Sequence, residues 1–164
     1  MSVVKPIAKL KSGSYILPII IVSQFACTSL WFAGNAVLDD LVLKTGLGTE
    51  IIGYVLSSVQ IGFILGTLVF AIFMIADRFS PSKVFMFSAF SAAICNMVLL
   101  FQDISNATLF MARLGAGFFL AGIYPVGMKI AADYYEKGLG KALGFLVGAL
   151  VLGTAFPFLV ATPY

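Results

Sequence analysis

Long uncharged, apolar windows alternate with short charged segments along the chain. Four windows carry no charge, and they are bounded by Lys11 and Asp39, by Glu50 and Asp77, by Lys83 and Asp103, and by Lys141 and the last residue. A fifth, from Asp103 to Lys129, contains only Arg113. Roughly 20 apolar residues in a helix cross about 30 Å of hydrocarbon. The pattern therefore predicts five transmembrane helices near residues 14–38, 51–76, 84–101, 108–132 and 141–162, preceded by a cytoplasmic segment of residues 1–13.

Composition agrees with a bilayer protein. Hydrophobic residues make up 61% of the chain and charged residues 10%, whereas soluble domains are about half apolar and a quarter charged. The apolar runs are continuous, while strands of a membrane barrel alternate apolar and polar residues. A helix also satisfies its own backbone hydrogen bonds in lipid. These features predict an all-α integral membrane protein whose first partner is the lipid bilayer.

The basic residues predict the orientation. One side of the membrane would hold eight of them: Lys5, Lys9, Lys11, Arg78, Lys83, Lys129, Lys137 and Lys141. The other side would hold only Lys44. Because basic residues stay cytoplasmic, a multi-pass protein of the cell membrane with a cytoplasmic N-terminus is expected. The basic residues are divided among three segments, so they do not indicate a nucleic-acid partner.

Polar residues inside the predicted helices are candidates for a solute cavity. In helix 1, four of them follow i, i+4, i+7, i+11 spacing and share one face: Gln24, Thr28, Trp31 and Asn35. A weaker stripe in helix 2 comprises Gly53, Ser57, Gln60 and Thr67. Such residues also hydrogen-bond neighbouring helices. The spacing favours a cavity lining for helix 1 and helix packing for helix 2, with Gln60 kept as a cavity candidate.

Arg113 is the one charge inside a predicted helix, about 9 Å from its outer end at 1.5 Å per residue. A charge costs roughly 2.5–3.5 kcal/mol at the centre of a membrane helix, so it seldom faces lipid without a role. Asp39 is the nearest candidate partner. Arg113 is expected to face the cavity near Trp31, with Tyr124 of the same helix. There it would bind an anionic or carboxylate-bearing solute, or respond to a proton on a neighbouring group. The alternative is an arginine that snorkels outward and binds backbone carbonyls.

Small residues predict close packing and bends. Gly140, Gly144 and Gly148 follow a small-xxx-small pattern in helix 5, and Gly117 takes the same role in helix 4. Close packing alone explains this pattern, and the more specific alternative is an interface at which helix 5 moves against its neighbour. Gly122, Pro125 and Gly127 predict a bend in helix 4.

Catalytic chemistry has few candidates here. The chain has no histidine, which excludes His-based acid–base catalysis. Paired carboxylates and Gly-rich phosphate loops are also missing from the predicted helices. Cys27 and Cys95 both fall inside helices, which disfavours a disulfide or a metal site. The chain is therefore not expected to be an enzyme or to hold a cofactor or metal.

Two motifs resemble signatures of the major facilitator superfamily. The segment between helices 2 and 3 keeps Asp77, Arg78 and a following Lys83 from the family's G-x-x-x-D-R-x-G-R-[RK], but has Phe73 and Ser80 in place of its glycines. Helix 4 carries Arg113-Leu114-Gly115-Ala116-Gly117, which matches R-x-x-x-G. Helix 5 has Gly148-Ala149 where antiporters of the family carry Gly-Pro, which disfavours an antiporter.

The resemblance implies a fold like the family's N-terminal six-helix bundle, with helices 1 and 4 at a central cavity and helix 3 peripheral. It also implies a secondary transporter for a small solute, driven by a solute or coupling-ion gradient through alternating access. The Asp77, Arg78 and Lys83 segment is then a gate. Asp77 ends a helix, where a carboxylate is unfavourable, so a partner is expected, either Arg78 or a helix N-terminus of the missing half. The alternative is a pair of solvated charges at the membrane interface.

The family normally has twelve helices, whereas this chain stops at Tyr164, after helix 5. A fragment that works with a missing C-terminal half is expected. The alternative is a non-transporting membrane subunit or assembly protein whose glycines and polar stripes only pack helices.

Overall fold

The computed structural model describes residues 15–38, 42, 50–101, 104–135 and 138–161. Five helices in this part of the chain are long and apolar enough to cross a membrane. The predicted all-α membrane fold with five spans is therefore confirmed. The predictions on Lys5, Lys9, Lys11, Asp39, Asp40, Lys44, Asp103 and Lys137 lie outside the described residues.

The helices begin and end close to the charged segments. They are α1 (Ile16–Ala36), α2 (Glu50–Ile72), α3 (Pro81–Met97, continued by a 3-10 turn at Val98–Leu100), α4a (Asn106–Leu120), α4b (Tyr124–Tyr134) and α5 (Leu139–Ala161). Pro81 suits the first turn of α3 because that turn needs no N–H donor. Ser105 caps α4a, since its hydroxyl accepts a hydrogen bond from the Thr108 N–H at 3.2 Å.

The predicted second helix ends earlier than expected, at Ile72 rather than near residue 76. Met74 has a φ of 50°, in the left-handed region that glycine favours, and a short helix follows at Ile75–Arg78. This turn separates α2 from the short helix that carries Asp77 and Arg78.

The predicted bend of helix 4 is a full interruption at residues 121–123, between α4a and α4b. Pro125 lies at the start of α4b, where its missing N–H costs nothing. A side chain at Gly122 would overlap the Ser88 hydroxyl and the Phe70 ring, so a small residue is required at the interruption.

Two helix pairs form the bundle, α1 with α5 and α2 with α4a, and α3 packs on α4a and α4b. The α2–α4a crossing brings backbones into contact. A Cβ at Gly62 would overlap the Leu114 carbonyl oxygen, and one at Gly117 would overlap the Val59 carbonyl oxygen. Small residues permit this close approach of membrane helices.

Three buried apolar clusters follow one another along the bundle. The first is centred on Ile130 and Leu146, the second on Leu120 and Ile123, and the third on Val55 and Leu109. The second cluster lies against the interruption of helix 4, where the polar face of α1 also meets the bundle.

Candidate functional site: a cavity beside a buried arginine

A cavity of about 260 Å³ lies among α1, α2, the two parts of helix 4, and α5. It is lined by Gln24, Thr28, Trp31, Phe32, Phe63, Leu120, Ile123, Tyr124, Leu150 and Thr154. Four of the seven predicted cavity residues are in this lining: Gln24, Thr28, Trp31 and Tyr124. The i, i+4, i+7 face of α1 thus forms one wall, and the interruption of helix 4 forms another.

The Gln24 amide has a fixed orientation. The Thr28 hydroxyl donates to the Gln24 backbone carbonyl at 2.8 Å, so its oxygen can only accept from the Gln24 side chain. The Gln24 Nε2 donates to it at 3.3 Å. Gln24 Oε1 is left without a hydrogen-bond partner in the described part of the chain, although Gln24 is only 1% exposed. A Cβ at Gly127 would lie 2.8 Å from Oε1, so glycine leaves room for this acceptor against α4b.

Aromatic rings of α1 and α2 form another part of the lining. The Trp31 ring lies 5.0 Å from the Phe63 ring of α2, centroid to centroid, and 5.9 Å from the Phe32 ring, against which it stacks. Both Phe32 and Phe63 line the cavity with Trp31. None of the described residues that form this lining is charged, so an occupant would meet mainly apolar and aromatic surface with a few hydroxyl and amide groups.

Arg113 lies beside the cavity and does not line it. Its side chain is 0% exposed. Nη1 donates to Asn96 Oδ1 of α3 at 3.0 Å, while Nη2 donates to Asn35 Oδ1 and, at 3.4 Å, to the Trp31 carbonyl oxygen of α1. One guanidinium therefore joins α1, α3 and α4a. Its observed partners are neutral oxygens, and Asp39 lies outside the described residues.

Two further features complete the arginine site. Asn96 donates from Nδ2 to the Leu30 carbonyl oxygen at 3.1 Å, which leaves its Oδ1 turned toward Arg113. A Cβ at Gly34 would overlap the guanidinium, so glycine is required where α1 passes over it. Arg113 Nε has no hydrogen-bond partner among the residues that the structure describes. The site is close-packed, and three of the five guanidinium N–H groups have an acceptor among the described residues.

Other predicted residues lie apart from the cavity. Gln60 is on an exposed face of α2, together with Gly53, Ser57 and Thr67. Gly144 and Gly148 are exposed on α5, and nothing lies within 4 Å of a Cβ built on either glycine. Their packing role therefore involves no contact within the described residues and stays a prediction. Gly117, by contrast, lies at the α2–α4a crossing.

The segment after α2 carries an ion pair. Asp77 Oδ1 lies 2.7 Å from Lys129 Nζ on α4b, and the two side chains are 54% and 33% exposed. Asp77 lies in the short helix after α2 and not at the end of α2 itself, and its ionic partner is Lys129 rather than Arg78. Arg78 and Lys83 are exposed and form no ion pair with the residues that the structure describes.

Sequence reasoning missed Asn96, Gly34 and the Gly62–Gly66 pair. Gly62-x-x-x-Gly66 is a readable small-xxx-small motif, and it marks the α2–α4a crossing. Asn96 is a lone amide in an apolar helix. Such a residue predicts a hydrogen bond to a neighbouring helix, but the sequence does not identify the partner. No group of three or more His, Cys, Asp or Glu residues that could hold a metal occurs within the described ranges.

The family model for the Major Facilitator Superfamily matches residues 18–162. That match covers nearly the whole chain, so the chain belongs to this family of membrane transporters, and it is a multi-pass membrane protein. No curated protein and no solved structure matches it.

Proposed function

We propose that the chain is part of a secondary active transporter that moves a small solute by alternating access. The observation that carries this proposal is the cavity, because it brings predicted residues of α1 and helix 4 together with Phe63 of α2 and Thr154 of α5. Ligand sites in helical membrane proteins commonly lie between helices, with mainly apolar walls and a few polar groups.

The lining favours an uncharged, largely apolar or aromatic solute. Such a solute would stack on Trp31 and meet the hydroxyl or amide of Thr154, Thr28 or Gln24. An anionic solute, the expectation drawn from Arg113, is the second candidate. It would have to displace Asn35 or Asn96 from the guanidinium, and the unused Nε donor favours this possibility. A coupling ion or a solute gradient would supply the driving force.

The segment with Asp77, Arg78 and Lys83 is proposed as the cytoplasmic gate, with the N-terminus and this segment on the cytoplasmic side of the cell membrane. The Asp77–Lys129 pair supports this role because it ties the segment after α2 to α4b, the part of helix 4 beyond the interruption. Movement of α4b relative to α2 would break the pair.

A second helical bundle is proposed as the partner that closes the solute path. Two exposed surfaces support it: the polar stripe of α2 that includes Gln60, and the glycine face of α5 that includes Gly144 and Gly148. Amides and close-packing glycines gain little from contact with lipid tails. A packing-only subunit would use the same surfaces, so the test must detect alternating access itself.

Thr154→Cys provides that test in the full gene product, after Cys27 and Cys95 are replaced by alanine. The cysteine should react with a membrane-impermeant maleimide added to either side of the membrane separately, because the cavity opens to each side in turn. Leu152→Cys is the matched control, since Leu152 lies two residues away on α5 and is 65% exposed outside the cavity. Thr154→Cys that reacts from neither side, at normal membrane abundance, would favour the packing subunit.

A further inference from the structure

A second recess, separate from the solute cavity, lies between α2, α3 and α4a and has a volume of about 570 Å³. Its floor is apolar and aromatic and includes Phe70, Phe87, Phe118 and Phe119. Its rim carries Arg78 and Lys83. No residue of α1 or α5 lines it, so it opens on a different side of the bundle from the cavity beside Trp31.

The rim cations lie at the ends of membrane helices. Arg78 closes the short helix after α2, and Lys83 lies in the first turn of α3. In a bilayer these helix ends reach the level of the lipid headgroups, while Phe87, one turn further along α3, reaches the acyl region. The basic side chains thus lie at the level of a lipid headgroup, and the aromatic side chains lie at the level of its acyl chains.

The charges at the rim are available for a ligand. Asp77, the nearest carboxylate in sequence, is paired with Lys129 at 2.7 Å. Arg78 and Lys83 have no carboxylate partner within the described ranges, and both side chains are exposed. Basic recesses between membrane helices are typical sites for anionic lipid headgroups, and the flexible stems of both side chains can reach a phosphate at the interface.

We propose that this recess, the rim groove, binds one anionic phospholipid. Arg78 and Lys83 bind its phosphate, and one acyl chain lies on Phe87, Phe118 and Phe119. The bound lipid would lie against α3 and the segment after α2, next to the Asp77–Lys129 pair. Lipid composition would thereby act on the proposed gate without entering the solute cavity.

Native mass spectrometry of the purified full gene product tests the binding, with phosphatidylglycerol and phosphatidylcholine as probes. The wild-type protein should retain phosphatidylglycerol preferentially, and this preference should fall about fivefold for each basic rim residue removed in Arg78→Gln and Lys83→Gln. Lys141→Gln is the control, because Lys141 also lies in the first turns of a helix but outside the groove. Equal retention of the two lipids, or an equal loss in Lys141→Gln, would overturn the proposal.

A fluorescence experiment locates the lipid. Trp31 is the single tryptophan, so Trp31→Phe with Phe87→Trp places one reporter in the groove. Phe145→Trp in the same background is the matched control, because Phe145 follows Lys141 at the spacing by which Phe87 follows Lys83. Brominated phosphatidylglycerol should quench Phe87→Trp more than brominated phosphatidylcholine does, and quench Phe145→Trp equally with both. Equal quenching of the Phe87→Trp fluorescence by the two lipids would contradict lipid binding. Quenching by neither lipid would also contradict it, because the tryptophan would then be covered by a second copy of the chain.

Discussion

Arg113 illustrates how a fully buried charge is held by neutral oxygens, since no carboxylate among the described residues pairs with it. Its guanidinium has a fixed fork of five donors, so it can bind two asparagine oxygens and a backbone carbonyl at once. A lysine ammonium is a compact point charge and cannot reproduce that planar geometry. The expected cavity role of Arg113 stays a prediction, and in this structure its bonds link three helices.

Arg113→Lys and Arg113→Met should each lower the free energy of unfolding by about 1–3 kcal/mol, because amide oxygens of Asn35 and Asn96 lose a charged donor. Asn96→Ala combined with Arg113→Met should cost less than the sum of the single changes, since the two residues are partners. Ser29→Ala is the additive control, as its hydroxyl bonds only within α1, to the Phe25 carbonyl. Denaturant unfolding in detergent measures these values, and additivity of the Arg113–Asn96 pair would contradict a direct bond.

At the scale of elements, the α2–α4a crossing depends on residues without side chains. Gly117→Ala should destabilise the protein by about 1–3 kcal/mol, because its Cβ would overlap the Val59 carbonyl oxygen and separate the helices. Gly53→Ala is the same chemical change on α2 with nothing within 4 Å, and it should be neutral or stabilising. Thermal unfolding of both variants provides the comparison, and equal stabilities would mean that the crossing can relax.

Gly148→Ala applies the same comparison to the glycine face of α5. Nothing described lies within 4 Å of its Cβ, so the chain alone would tolerate the change. If a partner bundle packs on this face, as proposed, the full gene product should lose stability or transport. An unaffected Gly148→Ala protein would remove the support that this face gives to the partner.

The Asp77–Lys129 pair joins two elements, and its proposed role concerns the gate more than stability. Partly exposed pairs contribute under about 1 kcal/mol, so Asp77→Asn should leave membrane abundance unchanged. Asp77→Asn should raise the rate at which maleimide labels Thr154→Cys from the cytoplasmic side by up to about fivefold. Adding Lys129→Gln to the Asp77→Asn protein should not raise this rate further, because the ion pair is already broken. Asp133→Asn, one turn beyond Lys129, is the control. Unchanged labelling in Asp77→Asn would exclude the latch.

For the whole molecule, the number of helices could be predicted because charges are costly in hydrocarbon and therefore mark the ends of each span. The common face of Gln24, Thr28 and Trp31 was also readable, since it depends only on the period of one helix. The Arg113–Asn96 and Asp77–Lys129 contacts could not be predicted, because each depends on the register between separate helices. The exposed position of Gln60 could not be predicted for a similar reason, because periodicity shows which residues share a helix face but not what that face contacts.

The orientation of the bundle rests on charge alone and can be tested with two exposed positions. Ser82 lies beside Lys83 on the side predicted to be cytoplasmic, and Asn106 begins α4a on the opposite side. Basic residues resist transfer across the membrane, and the prediction places eight of them on the first side and Lys44 alone on the second. In a background without Cys27 and Cys95, an impermeant maleimide added to intact cells should label Asn106→Cys, and it should label Ser82→Cys only after permeabilisation. Labelling of Ser82→Cys in intact cells would reverse the topology, and the Asp77–Lys129 pair would then belong to an external gate.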